Sequence, residues 1–206
     1  MPSLSEIYRQ IAECKDCELH KQRNRVVPGE GAEPATIFFI GEAPGWHEDQ
    51  QGRPFVGPAG KFLDEMLTAI GLVRSEVYIG NVIKCRPPAN RDPLPTEIQA
   101  CQKWLNLQLE QIKPRLIVTL GRYSMAKFFP GKTISKVHGT WYRRDGIIYF
   151  AMYHPAAALH QSDLRQTIIN DMKKIPPLLT ELNKISGTEI SEIPETKDTH
   201  QQLTMF

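Results

Sequence analysis

The stretch "ATIFFIGEAPGWHEDQQGRPFVGPAGKFLDEMLTAIGL", Ala35 to Leu72, decides how the chain is read. It opens with a short apolar run ending at Gly41, whose length and content fit a strand buried on both faces. It closes with Phe62, Met66, Leu67 and Ile70 at helical spacing, stopped by Gly71. Between them, Gly41 to Gly60 holds five glycines, three prolines and three acids, a composition that packs poorly. Such a loop at the end of a rigid strand brings its backbone close to a ligand.

The same alternation continues along the chain. "SLSEIYRQIAEC" puts Leu4, Ile7 and Ile11 on one helical face, with Ser3 and Glu6 placed as a capping box. "VYIGNVIK" reads as a second strand and "RLIVTLG" as a third, the latter followed by a short helix through "RYSMAKFF". Between these two strands, Ile98, Leu105, Leu109 and Ile112 form the stripe of a long helix bracketed by prolines. "GTWYRRDGIIYFAMYHP" reads as a hairpin about Asp145-Gly146 whose second arm runs into His154. "DLRQTIINDMKKIPPLL" supplies one closing helix. Strands alternating with helices predict an α/β fold, a mainly parallel sheet covered on both faces. The folded domain is expected over 1–185, a disordered polar linker over 186–200 and a terminal peptide over 201–206.

With 206 residues, 41% hydrophobic and 23% charged, the chain can bury one core but not two ordinary ones. A net charge of +2 does not by itself announce a nucleic-acid partner, although a local basic face fits the lysine and arginine count. No apolar run is long enough to span a bilayer, and the N-terminus lacks the order of a signal peptide. A cytoplasmic protein with no membrane partner and reduced cysteines is expected.

In an open parallel sheet, ligands bind at the carboxyl ends of the strands. Those ends here carry Gly41, Glu42 and Ala43, then Asn81, then "GRYS", then His154, with Phe55 on the adjacent loop. Taken singly, each has an ordinary structural reading: a loop carboxylate, a turn-fixing amide, a core phenylalanine, a satisfied histidine. Together they suit a flat polar heterocycle. Phe55 stacks on it, Asn81 reads a donor–acceptor edge, and backbone N–H groups near Ala43 contact an oxygen. A nucleotide-phosphate site fits less well, because neither glycine-rich phosphate fingerprint occurs.

Cys14-x2-Cys17 is half of a familiar metal site, and Cys85 and Cys101 complete a four-thiolate set. Zinc and a [4Fe-4S] cluster fit that count equally, and Cys85 and Cys101 could instead be ordinary buried thiols.

These motifs together resemble family 4 of the uracil-DNA glycosylases, over about Cys14 to Ile175. "GEAPG" is similar to that family's first motif, Glu48 to Gly60 meets "EDxxGxPFVGxAG", "GNVIKCRPPANRDP" matches its central segment and "HPAAAL" its second motif. The resemblance implies a three-layer α/β/α sandwich around a four-stranded mainly parallel sheet, and a hydrolase that releases uracil from single- or double-stranded DNA to begin base excision repair. It implies a [4Fe-4S] cluster on Cys14, Cys17, Cys85 and Cys101, pinning the N-terminal helix to two distant loops. Phe55 would stack on uracil, Asn81 would bond its edge and His154 would donate to O2. Glu42 or Glu48 would handle water and the cationic sugar, with Glu42 slightly favoured, and packing around Glu48 would exclude the thymine methyl. Leu159, in "PAAALHQS", would be the wedge that enters the duplex, and Lys84, Arg86 and Arg91 would touch phosphates. Such an enzyme is expected to act as a monomer. The ending "QLTMF", Gln202 to Phe206, resembles the Q-L-[SD]-L-F peptide that docks on the bacterial sliding clamp.

Overall fold

The computed structural model describes residues 2–185. The linker 186–200 and terminal peptide 201–206 lie outside the described residues. Six strands form one sheet: β1 (Glu30–Gly31), β2 (Ile37–Gly41), β3 (Tyr78–Asn81), β4 (Leu116–Leu120), β5 (Trp141–Arg144) and β6 (Ile147–Met152), in the order β1-β3-β2-β4-β6-β5. The four inner strands are parallel, and both edges are antiparallel. The expected four-stranded parallel sheet is therefore present, extended by the expected hairpin arm β5 and by the unforeseen two-residue β1. Asp145 (φ 52°) and Gly146 (φ 78°) both turn left-handed, as a two-residue hairpin loop demands.

Alternation along the strands splits the core in two. Phe38, Ile40, Tyr78, Ile117, Tyr149 and Ala151 face one side, against α1 (Leu4–Glu13), α4 (Pro95–Ile112) and α5 (Arg122–Phe128). Ile37, Phe39, Ile79, Val118, Phe150 and Met152 face the other, against α3 (Pro58–Ala69), α8 (Ser162–Met172) and α9 (Ile175–Ile185). This is the α/β/α sandwich. Three short helices, α2 (Trp46–Gln51), α6 (Ile134–Val137) and α7 (Ala157–His160), lie in the connections. No helix among the described residues is long and apolar enough to cross a membrane.

Local differences from the sequence reading have local causes. The closing helix divides into α8 and α9 at Lys173-Lys174, because Pro176 and Pro177 carry no N–H with which to continue a helix. Strand β3 ends at Asn81, yet the N–H groups of Val82 and Ile83 still bond to the carbonyls of Gly41 and Glu42. The buried face of α4 is rotated from the predicted stripe and runs through Glu97, Cys101, Trp104, Leu105, Gln108 and Ile112. Two polar side chains on that face found partners that propensity alone does not reveal.

Phe39 is fully buried at the centre of the sheet. Phe39→Ala should lower unfolding stability by about 3–5 kcal/mol in urea denaturation, while Trp46→Ala, at an exposed position, should leave it nearly unchanged.

Candidate active site

The parallel strands end on one rim, and there Glu42, Ala43, Pro44, Gly45, Glu48, Phe55, Asn81, Arg91, His154 and Ala156 line an open cleft of about 390 Å³. All the rim residues singled out from sequence except Leu159 meet at or beside this cleft.

Gly41 makes the central packing possible. A Cβ there would come within 2.4 Å of Asn81 Oδ1 and 2.6 Å of the Phe55 ring. Phe55 occupies left-handed backbone (φ 52°), which a bulky residue adopts only under constraint. The constraint is visible. Arg74 donates to the carbonyls of Phe55 (3.1 Å) and Pro54 (2.6 Å), and is itself held by Glu30 and Asp64. Gly60 sits so near the Phe55 carbonyl that a Cβ would fall 1.8 Å from its oxygen. The short strand β1 thus has a purpose: it presents Glu30 to Arg74. The Phe55 ring lies against the His154 imidazole, centroids 5.6 Å apart and 28° from parallel.

The two candidate carboxylates divide sharply. Glu48 is committed to the loop: one oxygen accepts from the N–H groups of Val56 and Gly57 at 2.9 Å each, the other from Gly45 N–H at 3.1 Å. Its neighbour Asp49 is buried and accepts from the backbone and side chain of Asn24. The Glu42 carboxylate makes no hydrogen bond among the described residues. Burial, followed by the negative charge of Asp92, pushes its carboxyl up to about 7, against the opposing pull of Arg122. A carboxyl in that range takes up and releases its proton near neutral pH.

Asn81 is buried, and its Oδ1 is the buried side-chain acceptor that lacks a partner among the described residues. An orphaned carbonyl aimed at a cleft calls for a donor from a ligand. His154 accepts the Ala156 N–H at Nδ1 (3.1 Å), which assigns the ring proton to Nε2 when the imidazole is neutral. Desolvation pulls its pKa down to about 4, against the opposing field of Glu48, so it is a neutral donor at physiological pH. Gly121 (φ 93°) at the end of β4 leaves room for it, since a Cβ there would lie 3.0 Å from that of His154.

Two large apolar side chains stand exposed on the short helices that follow cleft-lining segments. Leu159, in α7, is 45% exposed, and Trp46, at the start of α2, is 52% exposed. Sequence reading missed Trp46; an aromatic directly after "GEAPG" was the available signal.

Cys14, Cys17, Cys85 and Cys101 line a second, small cavity of about 20 Å³ with Arg23, Lys84 and Trp104. Cys14 ends α1, Cys17 follows in the next loop, Cys85 follows β3, and Cys101 lies on α4 rather than in a loop. Among the described residues no group of three or more His, Cys, Asp or Glu side chains converges on a single ion. Four thiols gathered at one cavity are the donor set that a four-thiolate metal centre takes. Cys85 Sγ accepts from Arg23 at 3.2 Å and Cys14 Sγ from the Trp104 indole at 3.4 Å, both donors suited to a thiolate. Burial raises the thiols of Cys17 and Cys85, and that of Cys101 to about 12, so only a bound cationic group would hold them ionised at neutral pH.

The three basic residues near Cys85 differ in their surroundings, and Lys84 alone is turned away from solvent. Lys84 is buried and donates inward; burial draws its ammonium down to about 8, so it remains charged at neutral pH. Arg91 is bound by both oxygens of the buried Glu97, at 2.6 and 3.0 Å. Arg86 donates to Asn90 on an exposed turn, and it and Arg91 stay partly exposed.

Comparison with known proteins agrees with this geometry. Residues 28–173 match the family model described as the uracil DNA glycosylase superfamily. A type-4 uracil-DNA glycosylase of Archaeoglobus fulgidus is 49% identical over 187 residues, covering 86% of this chain and 94% of that protein. Another from Sulfurisphaera tokodaii is 48% identical, covering 86% of each, and one from Saccharolobus solfataricus is 44% identical, covering 87% and 88%. The chain belongs to the uracil DNA glycosylase superfamily, within its type-4 group.

Carbon-detected NMR titration should find Glu42 changing charge near pH 7 and His154 staying neutral down to about pH 4. Because the folded state holds the Glu42 proton more tightly than the unfolded chain, this contribution to stability is lost as pH rises through about 7. Glu42→Gln should therefore be more stable than the parent at pH 8, with the difference vanishing below pH ~4. A Glu42 that titrates in the usual carboxylate range would contradict this reading.

Proposed function

We propose the following division of labour for this uracil-DNA glycosylase, which hydrolyses the N-glycosidic bond of deoxyuridine in DNA, releasing uracil and leaving an abasic site. The observation that carries it is the unpartnered Asn81 Oδ1 beside Phe55. Uracil presents an N3–H donor next to an O4 acceptor; Asn81 Oδ1 takes the first and its amide the second. Cytosine offers the reverse pattern and leaves the buried amide mispaired, which costs more than a missing apolar contact. Phe55 covers one face of the ring.

As the bond from C1′ to N1 breaks, its electron pair moves onto uracil and positive charge grows on the sugar. His154 donates Nε2–H to O2, where that charge collects, without having to give up a proton. Ionised Glu42 orients the water that attacks C1′ and receives its proton, while stabilising the cationic sugar. Glu48 holds the loop that carries Phe55, and its packing limits room for a methyl at C5. Before any of this the nucleotide must leave the stack. Leu159 fills the gap it leaves, and Trp46 offers an aromatic face to a neighbouring base.

Cys14, Cys17, Cys85 and Cys101 would hold a [4Fe-4S] cluster, which when bound supplies covalent ties among α1, the loop after it, the segment after β3, and α4. Hydrolysis transfers no electron, so these ties are its contribution. The terminal peptide Gln202 to Phe206 would dock on a bacterial sliding clamp, with Thr204 and Met205 as mild departures from the known peptide. We place the enzyme in the cytoplasm as a monomer.

Uracil release from a single-uracil oligonucleotide tests the assignment. His154→Ala and Glu42→Gln should each lower kcat by about 10²–10³-fold, and Phe55→Ala should lower kcat/KM. The acid limb of the kcat/KM profile should fall near pH 7 and vanish in Glu42→Gln. A His154→Ala enzyme as fast as the parent would overturn the scheme.

A further inference from the structure

Lys84 is 1% exposed, and among the described residues it pairs with no carboxylate. Its Nζ donates to the main-chain carbonyl of Asn81 and to Gln108 Oε1, both at 2.6 Å. Two carbonyl dipoles do not balance a full charge taken out of water; buried charges persist when an opposite charge is close. The acidic side chains that line the same cavity are Asp16, which is paired with Lys103, and the four thiols, among them Cys85 next to Lys84 in sequence and Cys101 on α4. A four-thiolate iron–sulfur centre is net negative, and the position of Lys84 is where its counter-charge belongs.

The other side of the same ammonium reaches the substrate site. Asn81 is held by its main chain to Lys84 and leaves its side-chain carbonyl free toward the cleft. Gln108, the second partner, is itself fixed by donating to Pro28 O (2.7 Å) and to the Tyr78 hydroxyl (3.1 Å), which meets Tyr8 of α1 at 2.6 Å. One buried polar chain thus runs from the helix that ends in Cys14 to the strand that ends in Asn81.

We propose that Lys84 is the counter-cation of the four-cysteine cluster and a positioning residue for uracil, coupling cluster occupancy to the placement of Asn81. The inference rests on the cluster reading above. Lys84 touches neither the base nor the sugar; it acts through Asn81.

The test compares the intact parent with Lys84→Met and with Lys103→Ala, whose lysine sits exposed near the same cysteines in an ion pair with Asp16. Iron per chain, the rate at which the visible iron–sulfur absorbance bleaches in air, and the kinetic constants are measured together. Lys84→Met should bleach several-fold faster or retain a fraction of the iron, and should raise KM about tenfold with a smaller change in kcat. Lys103→Ala, which removes the same charge from the surface, should match the parent. If K84M fails to fold, K84M/Q108L removes both orphaned polar ends and is measured the same way. In the parent, oxidative removal of the cluster should weaken inhibition by free uracil several-fold. A parent without iron sinks the cluster reading and this inference with it. An iron-bearing parent sinks this inference alone if Lys84→Met matches it in bleaching, iron and KM, or if its folded apoprotein binds uracil unchanged.

Discussion

A side chain at position 41 cannot coexist with the site. Asn81 Oδ1 and the Phe55 ring both occupy the space where a Cβ would stand, within 2.4 and 2.6 Å of it. The last residue of β2 must therefore be glycine, and its bareness lets an amide and an aromatic ring share one corner of the cleft. The parallel register does the rest. Gly41 pairs with Asn81 in the ladder, so the strand carrying the amide is aligned with the strand that makes room for it. Recognition begins as a steric exclusion and becomes chemical only because Asn81 is left with an acceptor to satisfy.

Much of the remaining structure keeps Phe55 in an unfavourable conformation. A left-handed backbone at a bulky residue costs about 1–3 kcal/mol. The two main-chain hydrogen bonds from Arg74 and the grip of Glu48 on Val56 and Gly57 are of comparable size in the opposite sense. The loop that looks badly packed in sequence is thus tightly specified by charges from β1, α2 and α3. Glu42 tells the complementary story. Its carboxylate is partly buried and accepts no hydrogen bond among the described residues, an arrangement that is destabilising once the group is ionised.

The layers of the fold were legible in the sequence because buried parallel strands read as apolar runs, and the runs at "IFFI" and "LIVTL" leave no other reading. The rim was legible for the same reason: once strands are known, their ends are known, and Glu42, Asn81 and His154 stand at them. What propensity does not show is which polar groups turn inward. Lys84 looked like a surface charge beside Cys85, and Gln108 is not part of the apolar stripe read for its helix; each is buried by a partner distant in sequence. The choice between Glu42 and Glu48 was hidden likewise, since it depends on three backbone N–H groups brought together only by folding. Trp46 escaped notice because exposure is a property of the finished surface.

The central claim is that Asn81 Oδ1 waits for the N3–H of uracil. Competitive inhibition of uracil release by free uracil and by 3-methyluracil, which differ by that one donor, tests it most directly. The account predicts that uracil competes, and that 3-methyluracil, having no proton to offer and a methyl group aimed at Oδ1, does not. Equal inhibition by the two bases would mean that Asn81 reads some other edge, and the assignment of the cleft would have to be rebuilt.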